Sequence, residues 1–199
     1  MFDWLPKTFI INMDKHTDRW KKCQEELTKY QINNYERFPG VIYNEAKEVK
    51  DRERGCSLSH FNIVEKAKQN NYPFILILED DFEISPLLPI YENHIKNFIT
   101  THKWNLFYLG GNHLIAPKKI IDNIGQVSRT YTTHSYFIHK STYDLLLSYF
   151  NENMQIDLVL YSKIQILNQS YSTIPNMIFQ RAGESYIQGL YRDYTALRR

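Results

Sequence analysis

With 199 residues, 43% hydrophobic and 23% charged, the chain is long enough for one domain with a sizeable core and has the make-up of a soluble globular protein. A net charge of +2 is too small to point by itself to a nucleic-acid partner, and two cysteines make no disulfide framework, which suits a reducing, cytoplasmic compartment. No apolar run approaches a membrane span, and Met1 to Pro6 has neither the basic start nor the long apolar stretch of a signal peptide.

Thr8–Met13 predicts a first strand, followed by a polar turn in which Asp14 or Thr17 can cap a helix. Trp20, Cys23, Leu27 and Tyr30 then form an amphipathic stripe that places Cys23 in the core, and Asn33-Asn34 ends that helix. Residues 40–55 are polar, and the charge run from Lys47 to Arg54 reads as a solvated loop or helix face. Ser57 or Ser59 is expected to begin a second helix bearing Leu58, Phe61, Val64 and Ala67, which Asn70 to Pro73 breaks. Phe74–Leu78, a short continuous apolar run, predicts a strand buried on both faces. It runs straight into Glu79-Asp80-Asp81. Ile90–Ile99 is expected to be helical. Trp104–Leu109 reads as a strand stopped by Gly110-Gly111, residues 113–130 as loop, and Thr130–His139 as extended. Ser141 can cap a helix bearing Tyr143, Leu146, Leu147 and Phe150; Asp157–Leu167 reads as helix, and Tyr171–Ile174 and Met177–Phe179 as short strands around Pro175. Strands alternating with helices imply an α/β fold with a mainly parallel central sheet. The expected organisation is one domain over 1–199, with its core at about 8–188. A mildly basic, aromatic tail at 189–199 reads as a solvated or frayed end, or at most a peripheral contact with an anionic membrane.

The acid triplet carries the chemistry. Open α/β sheets place ligands beyond the carboxyl ends of their strands. Alternation along a strand points Glu79 and Asp81 one way and Asp80 the other. Two carboxylates on one side suit Mn²⁺ or Mg²⁺, hard ions that leave positions open for phosphates; a solvated turn is the plainer alternative. Ser57, Ser59 and His60, read at a helix start, suit an anion, although a capping serine explains them as well. Gly110-Gly111 allows close approach of a ligand or makes a plain turn. Asp157 can be a general base or an N-cap, and Arg19 a phosphate partner or an exposed charge.

Several of these segments, in this order, resemble glycosyltransferase family 25. Phe9 to Trp20 resembles its first-strand motif, an "INLD" core followed by a charged stretch ending in Asp-Arg. Gly55-Cys56-Ser57-Leu58-Ser59-His60 resembles its "GC-x-x-SH" motif, and Ile75–Asp81 its "LILEDD" metal motif. Thr133 to Lys140 is similar to a later "T-x-A-Y-x-I" segment, with Ser135 in place of Ala. Ile156-Asp157 with Leu160 resembles an "ID-x-x-L" element, and Pro175 to Gln180 with Ser185-Tyr186-Ile187 the closing segment. No histidine follows His139, so the late histidine ligand of many transferases of this kind has no counterpart here.

The resemblance implies a GT-A-type (Rossmann-like) domain and an inverting transfer of a hexose, most often galactose, from a UDP-sugar to a hydroxyl of a glycan, glycolipid or glycoprotein. In that reading Glu79 and Asp81 hold Mn²⁺ or Mg²⁺. Asn12, Arg19, Ser59, His60 and Asp80 belong to the donor side, and Asp157 is the base. A catalytically inactive module of the same fold, binding a nucleotide sugar or glycan, is the alternative. A metal-dependent phosphatase is disfavoured, because Glu79 stands where a nucleophilic aspartate is needed.

Overall fold

The computed structural model of the chain describes residues 1–151 and 153–197. β1 (Thr8–Asn12) leads into α1 (Thr17–Lys29), and β2 (Tyr35–Pro39) follows. α2 (Val49–Gln69) returns the chain to β3 (Phe74–Glu79), which a tight turn joins to β4 (Phe82–Ile84). After α3 (Leu88–Thr101) come β5 (Leu106–Tyr108), β6 (Asn112–His113), β7 (Lys118–Ile121), β8 (Ile124–Gln126), β9 (Thr130–Tyr131) and β10 (Ser135–His139). α4 (Tyr143–Leu147) and α5 (Ile156–Val159) follow, the latter continuing in a π turn and a 3₁₀ turn to Leu167. β11 (Ser170–Thr173), β12 (Ile178–Gln180) and a hairpin of β13 (Gly183–Ser185) and β14 (Leu190–Arg192) complete the fold.

Eight strands form the central sheet in the order β2-β1-β3-β10-β5-β11-β8-β7. β1 is parallel to both β2 and β3, and β5 is parallel to β11, whereas β10 and β8 run against their neighbours. Six of the eight strands therefore point the same way, so the sheet is mainly parallel in strand direction, as the alternation of elements implied. β3 shows why it is central. Ile75 and Ile77 share one core with Phe61, Val64 and Ala67 of α2. Leu76 and Leu78 share the other with Cys23 and Leu27 of α1 and Phe98 of α3. All four β3 residues are fully buried. A strand covered on both faces has no use for polar side chains until it leaves the sheet.

Four expectations need correction. α2 begins at Val49, ahead of the expected start at Ser57 or Ser59, and takes in most of the charge run, so that of the two readings, loop or helix face, the helix holds; Glu48 and Asp51 cap each other's backbone N–H groups there. Ser57, Ser59 and His60 therefore stand in mid-helix, where the backbone N–H groups are already used, and not at an anion-binding start. α1 has His16 at its cap position, with no side-chain cap bond among the described residues, and it ends at Lys29, ahead of Asn33. Residues 113–130 hold strands rather than loop alone, and β2 was not foreseen. The expected tail folds back, because Leu190–Arg192 pairs with Gly183–Ser185; Arg198 and Arg199 lie outside the described residues.

Candidate active site

The ends of β1 and β3, the middle of α2 and the segment after β12 border a cleft that opens to solvent. On its α1 side Asn12, Arg19, Arg37 and Asp80 form one connected set of hydrogen bonds. Asn12 ends β1, and its amide donates to Asp80 Oδ2 (2.8 Å) and to the His16 carbonyl (3.1 Å). Arg19 donates to Asp80 Oδ1 at 2.7 Å. Arg37 of β2 donates to Asn12 Oδ1 at 2.8 Å and pairs with Asp14. Each carboxylate oxygen of Asp80 thus accepts from a protein group.

Strand alternation turns Glu79 the other way, towards α2. The Thr133 hydroxyl donates to its Oε1 at 2.5 Å, and His60 Nε2 faces the same oxygen at 3.4 Å. The His60 ring, fully buried, stacks on Tyr136 and meets its hydroxyl through Nδ1 at 3.0 Å. Burial alone would raise the Glu79 pKa, but His60 and Thr133 outweigh it and hold the carboxyl below its ordinary range. Asp81 lies two residues past the end of the strand, in the turn. Its Oδ2 accepts from Gln180 Nε2 at 3.1 Å, while Oδ1 is buried with no hydrogen-bond partner among the described residues. Burial, then the charges of Glu79 and Asp80, push its pKa up to about 7. An orphaned buried carboxylate oxygen beside a second carboxylate is what a hard cation would satisfy.

α2 carries the walls. A side chain at Gly55 would collide with the Val41 carbonyl oxygen, so only glycine lets the 40–43 segment cross the helix here. Ser59 donates to the Gly55 carbonyl and accepts from the Val41 N–H, both at 2.8 Å. Ser57 accepts from the Ile156 N–H at 3.0 Å. Gly110, read as room for a ligand, instead makes room for the Ile178 backbone, which a side chain would hit.

Asp157 opens α5 and lines a second, open cavity that shares Cys56, Glu79, Gln180 and Tyr194 with the first. Its Oδ1 accepts from the Leu158 N–H. Burial raises its pKa, and the Glu79 charge adds to that against the help of the backbone bond. The β13–β14 hairpin roofs the cleft. Arg19 donates to the Glu184 carbonyl, Arg52 to the Ile187 carbonyl at 2.7 Å, and the Lys15 ammonium sits 4.2 Å over the Tyr186 ring.

The sequence profile of Glycosyltransferase family 25 (LPS biosynthesis protein) matches residues 5–160. The chain belongs to glycosyltransferase family 25. Its family makes it an enzyme of glycosyl transfer, with a sugar donor, characteristically a nucleotide sugar, and a glycan acceptor. Among solved structures, a glycosyltransferase involved in glycosylating the major capsid protein of PBCV-1 aligns with 15% identity and a TM-score of 0.51, over 83% of this chain and 79% of that one. At that identity the likeness shows the fold alone. A197 from STIV (12% identity, TM-score 0.47, 87% and 82% covered) and mannose-1-phosphate geranyltransferase from Thermus thermophilus (6%, 0.48, 84% and 72%) are more distant. No curated protein matches the sequence.

In this family 25 chain, the site residues expected from the sequence do not all play one part. Glu79, Asp81, Arg19, Asp80, Ser59 and His60 border the first cleft, and Asp157 the second. Asn12 reaches the first cleft through Asp80 and the His16 carbonyl, which it holds. Sequence reasoning missed Gln180, Thr133, Arg52, Cys56 and the roof residues Tyr186 and Tyr194. Thr133, Cys56 and Tyr186 lay inside the family-like segments, whereas Arg52 and Tyr194 carried no local signal. Among the described residues, no helix is long and apolar enough to cross a membrane.

Proposed function

We propose that this chain is a metal-dependent, inverting hexosyltransferase that moves a sugar, most readily galactose, from a UDP-sugar to a hydroxyl of a glycan, glycolipid or glycoprotein. The observation that carries the reading is Asp81 Oδ1, buried and without a partner among the described residues, beside Glu79 at the carboxyl end of a central strand. Asp81 and Glu79 would hold Mn²⁺ or Mg²⁺, which supplies charge neutralisation for the departing diphosphate. Asp157, across the shared wall, takes the proton of the acceptor hydroxyl as that oxygen attacks the anomeric carbon and UDP leaves from the opposite face. Its raised pKa favours that role, since a base near neutrality transfers protons best.

The five donor-side residues act mainly by positioning. Asn12, Arg19 and Asp80 fix the end of β1 against the end of β3, Ser59 pins the Val41 wall, and His60 orients Glu79. The two unpaired cysteines support a cytoplasmic setting. UDP release from a panel of UDP-sugars, with a mixed glycan acceptor and with Mn²⁺ or a chelator, tests the function. Mn²⁺-dependent release that Asp81→Ala abolishes is the expected result. Equal release with the chelator, or full activity in that variant, would overturn the metal-dependent reading.

A further inference from the structure

Cys56 takes no part in the transfer chemistry, yet it shares a cavity wall with the acid pair. It lies four residues before His60 on α2, so both side chains stand on one face of the helix. The Cys56 sulfur, a His60 ring nitrogen and a Glu79 oxygen all lie within 4.8 Å of one another.

We propose that Cys56, His60 and Glu79 form a binding site for a zinc-class divalent cation, distinct from the all-oxygen site at Asp81 and sharing only Glu79 with it. Three observations carry this. First, His60 Nε2 is buried and, apart from its 3.4 Å contact with Glu79, has no hydrogen-bond partner among the described residues, while the other ring nitrogen is engaged by Tyr136. Second, Nε2 and Glu79 Oε1 are 3.4 Å apart; two ligands bonded at zinc distances and at the tetrahedral angle lie about 3.3 Å apart. Third, the donor set is thiol, imidazole and carboxylate, which selects borderline-soft zinc, whereas oxygens alone select manganese or magnesium. The outer contacts of a metal site are present too, Tyr136 behind His60 and Thr133 behind Glu79. The fourth position faces the cleft that half-buried Cys56 lines. Binding exchanges the Cys56 thiol proton, which leaves to solvent, for a sulfur–metal bond. A zinc ion there draws Glu79 away from Asp81, so zinc opposes manganese-supported transfer.

Cobalt(II) is the probe. Added to the metal-free full-length chain, one equivalent is expected to give a thiolate-to-cobalt charge-transfer band in the near ultraviolet and the strong visible absorption of four-coordinate cobalt. Zinc bleaches both, and excess magnesium does not. Cys56→Ser and Cys56→Ala remove the charge-transfer band and weaken zinc binding by at least the roughly 10–100-fold that losing an outer-shell partner costs. Cys23→Ser and Asp81→Asn keep the band. In the unmutated chain, zinc protects Cys56 from alkylation as read by peptide mass spectrometry, which needs no variant to fold. The proposal is overturned if the unmutated chain gives no band, if the band survives in Cys56→Ser, or if zinc leaves Cys56 alkylation unchanged. UDP release is scored separately. A cobalt band without turnover sinks the transferase reading alone, and turnover without a band sinks this one alone.

Discussion

Asp80 and Asp81 are neighbours in the chain and opposites in their surroundings. Asp80 faces α1, where Asn12 and Arg19 take both its oxygens and Arg37 braces Asn12 in turn. Asp81 faces the cleft with one oxygen held by Gln180 and the other by nothing among the described residues. A fully connected polar network holds a shape. A partly connected one stores unfavourable desolvation that a ligand can relieve. The α1 side is therefore built for rigidity and the cleft side for binding, although both begin from the same three-acid run.

Substitutions can break this contrast. The largest effect is expected from Asp81→Ala, which abolishes metal-dependent transfer and the metal-induced rise in melting temperature while the circular dichroism spectrum stays unchanged. Asp157→Asn is expected to lower kcat by roughly 10²–10⁴, the usual worth of a general base, with little change in stability. On the paired side the loss should appear in stability. Asp80→Ala takes the carboxylate from Arg19, leaving it the Glu184 carbonyl alone among the described residues, and is expected to cost about 2–4 kcal/mol in urea unfolding, somewhat below the roughly 3–5 kcal/mol of a fully buried pair, because Arg19 keeps some contact with solvent.

The pH dependence of the metal-free chain sharpens the same point. Asp81 keeps its proton up to about pH 7 in the folded chain, against an ordinary value of 3.8. The folded state thus binds more protons than the unfolded state between those limits. Stability should fall as pH rises through that window, by on the order of a few kcal/mol, and stay low above it. Asp81→Asn is expected to flatten this fall and to make the metal-free protein more stable than the parent above pH 7. Chemical denaturation at pH 5 and pH 8 checks it. The smallest effect concerns the roof. Tyr186→Ala removes an exposed cation–π contact with Lys15 and is expected to cost under about 1 kcal/mol. A larger loss would mean that the roof belongs to the rigid part.

How far the sequence revealed this contrast depended on burial. β3 was legible because its buried residues are continuous and its acids abrupt, and α1 because Cys23 and Leu27 keep helical spacing. The start of α2 was not, since its first turns face solvent and carry charge instead of an apolar stripe; the Glu48–Asp51 capping pair was the available signal. β2 has no fully buried residue and mixes charges with aromatics, so its alternation is weak. β13 and β14 are short and largely exposed, and their pairing is visible only in three dimensions. Within the site, alternation separated Glu79 from Asp80 correctly. It could not reveal that Arg19 holds Asp80, because Arg19 lies 61 positions away in the chain.

The two serine hydroxyls on α2 have a geometric consequence. Ser59 fastens the strand of chain at Val41 to the helix, and Ser57 fastens the chain at Ile156. Those segments stand on the two cavities that meet at Glu79. A rigid rod gripped at two points by its neighbours works as a gauge. The separation of the two chambers is set by the girth of one helix and not by the lengths of the loops that reach it. Loops elsewhere on the rim can lengthen, shorten or change composition to suit other sugars while the distance between the chambers stays fixed.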